Sequence, residues 1–214
     1  MRTIRLAAAL AACLIAGTAS AAAVLVPDSY NMLNGNTGSY NYWDQIYSGS
    51  GCVTCDNASL TGGQGDLTDG VIATSNWFVA EAPAGNGPYV GWTLNPTITF
   101  HWNSLVTINT VTFYLDDSDG AGGVSAPASV VVAGNTFIIA EPPGSAPFAF
   151  TATGFSFTGH DLVVTLNRKN QWVFLSEVQF NGARTTAVPE PETLALMLAG
   201  LGAIATMVRR RKMM

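Results

Sequence analysis

Charge is scarce in this chain, and basic charge is scarcest. Only 11% of its 214 residues are Asp, Glu, Lys or Arg. Six of the nine basic residues lie near the two ends, as Arg2, Arg5, Arg209, Arg210, Arg211 and Lys212. Between residues 22 and 187, twelve carboxylates face only Arg168, Lys169 and Arg184. So few cations exclude nucleic acid as a partner, because binding it requires neutralising a row of phosphates. Cations such as calcium, or neutral ligands, suit such a surface better. Chemistry-bearing patterns are missing too: there is no Gly-x-Ser-x-Gly elbow, no His-Glu-x-x-His and no Walker loop. The only histidines are His101, beside Trp102 in an alternating stretch, and His160, between Gly159 and Asp161 in a turn-like one. Both read as structural. No part of residues 22–187 keeps a 3.6-residue apolar period, which excludes a helical bundle.

Cysteine is limited to Cys13, Cys52 and Cys55. Cys13 lies in the apolar leader, where Leu10-Ala11-Ala12-Cys13 has a lipoprotein-like look, but the apolar run continues past it through Leu14 and Ile15. Cys52-x-x-Cys55 is followed by Asp56, so it lacks the His of a haem attachment site, and two further zinc ligands are not at hand. A local disulfide across a Gly-rich loop is the expected outcome in an oxidising compartment.

The two ends read as address labels. Arg2 and Arg5, the apolar Leu6–Gly17 and the small-residue Ala19-Ser20-Ala21 form a signal peptide over residues 1–21, to be removed by signal peptidase. Residues 22–187 form one ectodomain. At the other end Val188-Pro189-Glu190-Pro191-Glu192 precedes an apolar run of 15 residues, Leu194–Val208, and the basic Arg209, Arg210, Arg211 and Lys212. At about 1.5 Å per residue this helix reaches roughly 22 Å, short of a hydrocarbon core of about 30 Å. It inserts if its basic end snorkels, leaving that end cytoplasmic and the body outside. Residues 188–212 resemble the PEP-CTERM sorting signal of exported proteins in Gram-negative bacteria that make exopolysaccharide. The resemblance implies an exosortase as partner, cleavage near Pro189-Glu190-Pro191, and transient inner-membrane anchoring before delivery to the cell surface or matrix. A plain single-span anchor is the alternative.

The body reads as β. Thr97–Trp102 alternates, and Val106–Leu115 alternates with Val111, Phe113 and Leu115 on one face and Thr110, Thr112 and Tyr114 on the other. Ser129–Ala133, Thr136–Ala140, Phe155–Phe157, Leu162–Leu166 and Trp172–Phe180 are further expected strands, rich in β-branched and aromatic residues and mostly separated by Gly, Pro or Asn. Residues 30–66, rich in Gly, Asn, Ser and Thr, are expected to form turns and short edge strands. The expected fold is all-β, an antiparallel sandwich. Leu67-Thr68-Asp69-Gly70-Val71 before Trp77, then Ile98-Thr99-Phe100, Val111-Thr112-Phe113-Tyr114, Ser129-Val130-Val131-Val132 and Trp172–Phe180 follow in order. This order is similar to the discoidin-like, galactose-binding-like jelly roll. That resemblance implies an eight-stranded sandwich whose loops at one end bind ligands.

It also implies a structural calcium held by Asp69 and Glu177, with Thr74 as an extra oxygen ligand. Asp116-Asp117-Ser118-Asp119 lacks an EF-hand loop and is expected to be a solvated hairpin turn. Sugars are usually held by aromatic platforms and planar polar groups, here drawn from Tyr42, Trp43, Trp77, Trp92, Arg168, Asn170 and Trp172. Arg168, Asn170, Trp172 and Trp92 are the expected glycan-binding set, because the sole basic pair of the body precedes the last strand. The expected function is a non-catalytic surface or matrix protein that binds exopolysaccharide or another glycan. The alternatives are a self-associating structural protein and a glycan hydrolase with an unrecognised carboxylate site.

Overall fold

A computed structural model of the chain describes residues 23–185, 195–202, 204 and 209. The signal peptide, the Val188–Pro191 motif and Arg210, Arg211 and Lys212 lie outside the described residues. Within the expected tail helix, residues 195–202 and 204 are helical and exposed, as is residue 209. No helix among the described residues is long and apolar enough to cross a membrane.

The body is an antiparallel β-sandwich of ten strands: β1 (Ala23–Leu25), β2 (Ser29–Leu33), β3 (Ser59–Gly63), β4 (Val90–Trp92), β5 (Thr97–Leu115), β6 (Ser129–Val132), β7 (Asn135–Ile138), β8 (Phe148–Ala152), β9 (Phe157–Asn167) and β10 (Val173–Arg184). One short helix, α1 (Trp77–Ala80), interrupts the loop between β3 and β4. The 19-residue β5 organises the molecule. Its first part lies between β2 and β9, and its last part between β8 and β10. The register shifts between His101 and Val106, where the strand passes from one layer towards the other. One layer thus runs β3-β2-β5-β9-β6-β7, and the other runs β8-β5-β10 with β1 and β4 along the outer side of β10.

The alternation read from the sequence holds along β5. Ile98, Phe100 and Trp102, then Val106, Ile108, Val111, Phe113 and Leu115, are buried, while the other residues of the strand are half-buried or exposed. Burial of each such side chain contributes about 1.5–3 kcal/mol. Phe100 and Trp102 meet Phe180 of β10 edge to face at 4.7 and 5.0 Å, joining the layers. Outside, threonines pair across strands, Thr97 with Thr165, Thr107 with Thr158 and Thr112 with Thr151. His101 is structural in the same sense: its Nδ1 meets the Asp161 carboxylate at 2.7 Å across β5 and β9. His160 bonds the Trp102 carbonyl at 2.9 Å.

Strand β8 is not among the expected strands, and the segment at Phe155 joins β9 only from Phe157. The count is ten rather than eight because three-residue β1 and β4 also pair with β10.

The loop between β2 and β3 is held by polar groups as well as by the buried rings of Tyr42 and Tyr47. Cys52 and Cys55 are joined in a disulfide. Buried Asn34 donates to the Cys52 carbonyl at 3.2 Å and accepts from Gly35 and Asp44 N–H at 2.8 and 2.9 Å. Asp56 accepts from Thr37 N–H at 2.6 Å and from the Trp43 indole at 2.8 Å. At Gly35 a Cβ would stand 2.0 Å from the Tyr42 carbonyl oxygen, so only glycine lets these two backbone segments touch. Their contact fixes the course of residues 38–42, which form one wall of the main cavity.

Candidate functional site

A loop-lined cavity of about 280 Å³ opens where β10 begins. Tyr42, Trp77, Trp172 and Phe174 form its aromatic walls, and Ser39 and Gln171 place polar groups at it. Pockets for drug-sized ligands run from about 300 Å³ upward, so this one is sized for a single ring or small group.

Each wall is positioned by its own backbone contacts. Trp172 donates its N–H to Gly123 at 2.9 Å and forms a parallel bridge with Val124. Trp77 opens α1, where its N–H bonds the Asp116 carboxylate at 2.8 Å. Tyr42 accepts from Gly91 N–H at 3.0 Å through its carbonyl. Two glycines let the walls close in. A Cβ on Gly38 would come within 2.4 Å of the Tyr42 ring, and one on Gly122, at φ +62°, within 2.5 Å of the Trp77 ring. Trp77 and Phe174 lie nearly parallel with centroids 5.9 Å apart, and Tyr42 stands edge-on to both. Tyr42 and Phe174 are buried behind the cavity, and the half-buried Trp77 and Trp172 offer apolar ring surface with hydrogen-bonding groups beside it, the combination that grips a sugar's C–H face and its hydroxyls.

Of the four expected glycan residues, only Trp172 lines this cavity. Asn170 is next to it in sequence, but its side chain accepts from Gln171 N–H at 2.8 Å and reaches Ser125 at 3.4 Å. Arg168 is tied to the Gln171 carbonyl and to Asn95. Trp92 corrects the expectation. It is wholly buried, its indole N–H bonds the Leu33 carbonyl at 2.8 Å, and no ligand can reach it. Tyr42 and Trp77, from the wider aromatic inventory, take its place. Phe174, Ser39, Gln171 and the two glycines escaped the sequence reading; the only hint was the run of glycines at 120, 122 and 123.

Asp69 and Glu177 do come together, lining a second cavity of about 210 Å³ with Thr68 and Gly70. Glu177 is 4% exposed, and its carboxylate accepts only the Gly70 N–H, at 3.2 Å. Burial, with some help from the Asp69 charge, pushes its carboxyl up to about 7 despite that hydrogen bond. The threonine beside this pair is Thr68, whose hydroxyl is buried without a partner. Thr74 is exposed and does not line the cavity. Among the described residues no three His, Cys, Asp or Glu side chains cluster as metal ligands.

The acidic loop after β5 is a second correction. Asp116, Asp117 and Ser118 are buried rather than solvated. Asp116 is drawn in by the N–H of Trp77, and Asp117 accepts from Asp119 and Ala126 N–H at 3.2 and 3.3 Å, which curls the loop inward. Only Asp119 is exposed.

Residues 187–212 match the PEP-CTERM protein-sorting motif. The motif marks an exported protein, processed by an exosortase and sorted to the cell surface. A comparison with curated protein sequences gave no match. Among solved structures, the chain is similar to a family 32 carbohydrate-binding module of Clostridium perfringens in complex with GalNAc-β-1,3-galactose. That pairing has 12% identity and a TM-score of 0.38, over 76% of this chain and 100% of that one. It is also similar to the family 32 module of C. perfringens NanJ in complex with galactose, with 10% identity and a TM-score of 0.34, over 54% of this chain and 82% of that one.

Proposed function

We propose that the chain is a non-catalytic surface or matrix protein whose aromatic cavity binds a glycan, exopolysaccharide being the natural candidate for a protein bearing this sorting motif. The observation that carries the reading is the cavity itself: Tyr42, Trp77 and Trp172 around a space for one ring, with Ser39 and Gln171 at hand. Titration of the exported protein with neutral and amino-sugar oligosaccharides, followed by calorimetry, tests it. Binding at one site per chain supports the reading; heat no different from buffer across the panel removes it.

The tail serves delivery in this proposal. It anchors the chain in the inner membrane until an exosortase cuts near Pro189-Glu190-Pro191. Intact-mass measurement of the protein from its native surface is expected to show residues 194–214 missing. A mass that includes them would leave a plain membrane anchor.

A structural calcium belongs to the same proposal. Asp69 and Glu177 supply two carboxylates, the Thr68 hydroxyl a third oxygen, and carbonyls and water the remainder of a six- to eight-oxygen shell. The partnerless Thr68 hydroxyl and the buried, nearly unpartnered Glu177 fit a hard cation. Bound calcium would supply positive charge that keeps Glu177 ionised and ties the loop of Asp69 to β10. Stripping with EGTA is expected to lower the melting temperature by several degrees, with calcium restoring it and Glu177→Gln abolishing the response. An identical melting curve with EGTA and with calcium would rule the site out.

A further inference from the structure

The cavity wall that carries Gly38, Ser39 and Tyr42 is clamped at its base by one carboxylate from another part of the chain. Residues 38–42 lie between Thr37 and Trp43, and Thr37 and Asn41 form an antiparallel bridge beneath them. Asp56 spans the same base. Its Oδ1 accepts from Thr37 N–H at 2.6 Å, from the Thr37 hydroxyl at 3.0 Å and from the Trp43 indole at 2.8 Å. Bonds to an ionised acceptor are the stronger kind. Desolvation raises the Asp56 carboxyl, but the indole and the two Thr37 donors outweigh it and hold the group below the usual aspartate range. The side chain is exposed, so its aim comes from its backbone and not from core packing.

The disulfide sets that backbone. Asp56 directly follows Cys55, which is bonded to Cys52. Asn57 on its other side is left-handed, at φ +54°, a conformation asparagine tolerates better than most residues. The turn closes through Ala58 N–H on the Cys55 carbonyl at 3.3 Å. The loop is then laid along the start of the wall segment. Asn34 donates its side chain to the Cys52 carbonyl at 3.2 Å and its N–H to the Ala58 carbonyl at 2.8 Å, and Asn57 N–H meets the Gly35 carbonyl at 3.3 Å. A disulfide acts by removing alternatives open to the chain. Once it opens, the residues that aim Asp56 are free to reorient. Tyr42 keeps a second support, the Gly91 N–H on its carbonyl at 3.0 Å, so loss of the clamp loosens the wall rather than removing it.

We propose that Asp56 is a positioning residue for the ligand cavity, aimed by the Cys52–Cys55 disulfide, so that the disulfide sets ligand affinity through Asp56 and a dithiol reductant lowers it. This rests on the cavity being the glycan site. In the reduction the two sulfurs of the dithiol bond to each other, and its two hydrogens pass to Cys52 and Cys55, which become thiols.

The exported protein is compared with its Asp56→Ala and Asp56→Asn variants, each before and after dithiothreitol. Every form is titrated with galactose oligomers and N-acetylglucosamine oligomers, and the Trp77 and Trp172 indole N–H signals are recorded without ligand. Tyr42 stands edge-on to these two rings at 5.8 and 5.3 Å, so a displaced wall moves both signals. Asp56→Ala is expected to weaken binding about fivefold or more and to shift both indoles, with little change in melting temperature because the lost carboxylate is exposed. Asp56→Asn keeps an acceptor oxygen and is expected to recover most of the affinity. Dithiothreitol should weaken the parent by a similar factor and have little further effect on Asp56→Ala, because two changes that act through one group do not add. Parental affinity in Asp56→Ala, or a reduction that weakens Asp56→Ala as much as the parent, overturns the proposal and leaves the glycan site standing. If no form binds either oligomer, the glycan reading fails. The clamp is then upheld by indole signals that shift in Asp56→Ala and overturned by signals that stay in place.

Discussion

Trp172→Ala is expected to weaken glycan binding at least thirtyfold without unfolding the protein. The indole is one wall of a cavity the size of a single ring, so its loss opens the site to water along a whole side. Buried aromatic anchors of this kind commonly cost about 2 kcal/mol or more on truncation, which is about thirtyfold in affinity. The fold should survive, because Trp172 is tied to the neighbouring loop by its backbone: its N–H bonds the Gly123 carbonyl and it forms a bridge with Val124. Trp77→Ala should weaken binding as well, and both substitutions carry a stability cost, since each ring packs on Tyr42 and Phe174. Trp92→Phe gives the opposite pattern. It leaves the Leu33 carbonyl without its indole donor and lowers the melting temperature, but affinity stays the same. If Trp172→Ala binds as tightly as the parent, the cavity is not the site.

The second large effect is on stability against pH, and its direction is unusual. Asp66 is pushed up to about 9, first by burial and then by the charges of Asp44 and Asp69. Burial takes Glu81 and Glu177 to about 7, against the backbone N–H groups that pull them down, and Asp116 to about 6. All four stand above their unfolded values of about 4. The folded chain therefore holds more protons than the unfolded one, and stability falls as pH rises through these folded values. The contribution is complete below about pH 4 and is lost progressively as pH rises, the share of Asp116 being gone near pH 6, those of Glu81 and Glu177 near pH 7 and that of Asp66 near pH 9. A tenfold change in proton affinity is worth about 1.4 kcal/mol, so Glu81 and Glu177 each contribute on the order of 3 kcal/mol, against a total of about 5–15 for a domain. The melting temperature is expected to drop by roughly 10 °C between about pH 5 and pH 9 in EGTA. Calcium should remove the part of the fall between about pH 4 and pH 7 that belongs to Glu177, because a bound cation holds that carboxylate ionised in the fold. A melting temperature that is flat or rises across this range would contradict the account of the buried acids.

Much of the sandwich was legible because a half-buried strand writes its faces in alternate residues. The inward Val111, Phe113 and Leu115 and outward Thr110, Thr112 and Tyr114 of β5 are the clearest case. Alternation fails where a strand is buried on both faces. All three residues of β4 are buried, and a Cβ at Gly91 would stand 2.4 Å from the Phe174 ring, so Trp92 belongs to the core although its sequence surroundings resemble a loop. The aspartates of residues 116–119 read as solvated because acidic side chains usually are. The burial of Asp116 and Asp117 depends on the N–H groups of Trp77 and Ala126, 39 and 9 residues away, and no local pattern reports such partners. The cavity likewise joins residues 38–42, 77, 122–124 and 171–174. Sequence supplied its aromatic types but not their meeting, and it chose Arg168 and Asn170 because rarity of charge is visible in a sequence while the partners that occupy a side chain are not.

The central claim is the location of the glycan site, and the tryptophan indoles report on it directly. The chain has five tryptophans, each with one indole N–H. Trp77 and Trp172 line the cavity, Trp92 and Trp102 are in the core, and Trp43 is held by Asp56 in the disulfide loop. Proton–nitrogen correlation spectra of the exported protein, with indoles assigned by single Trp→Phe variants, are to be recorded while glucosamine oligomers and their acetylated counterparts are added. The account predicts that the Trp77 and Trp172 signals move with ligand and saturate together while those of Trp92 and Trp102 stay in place. Saturable binding that leaves both Trp77 and Trp172 unmoved would contradict it.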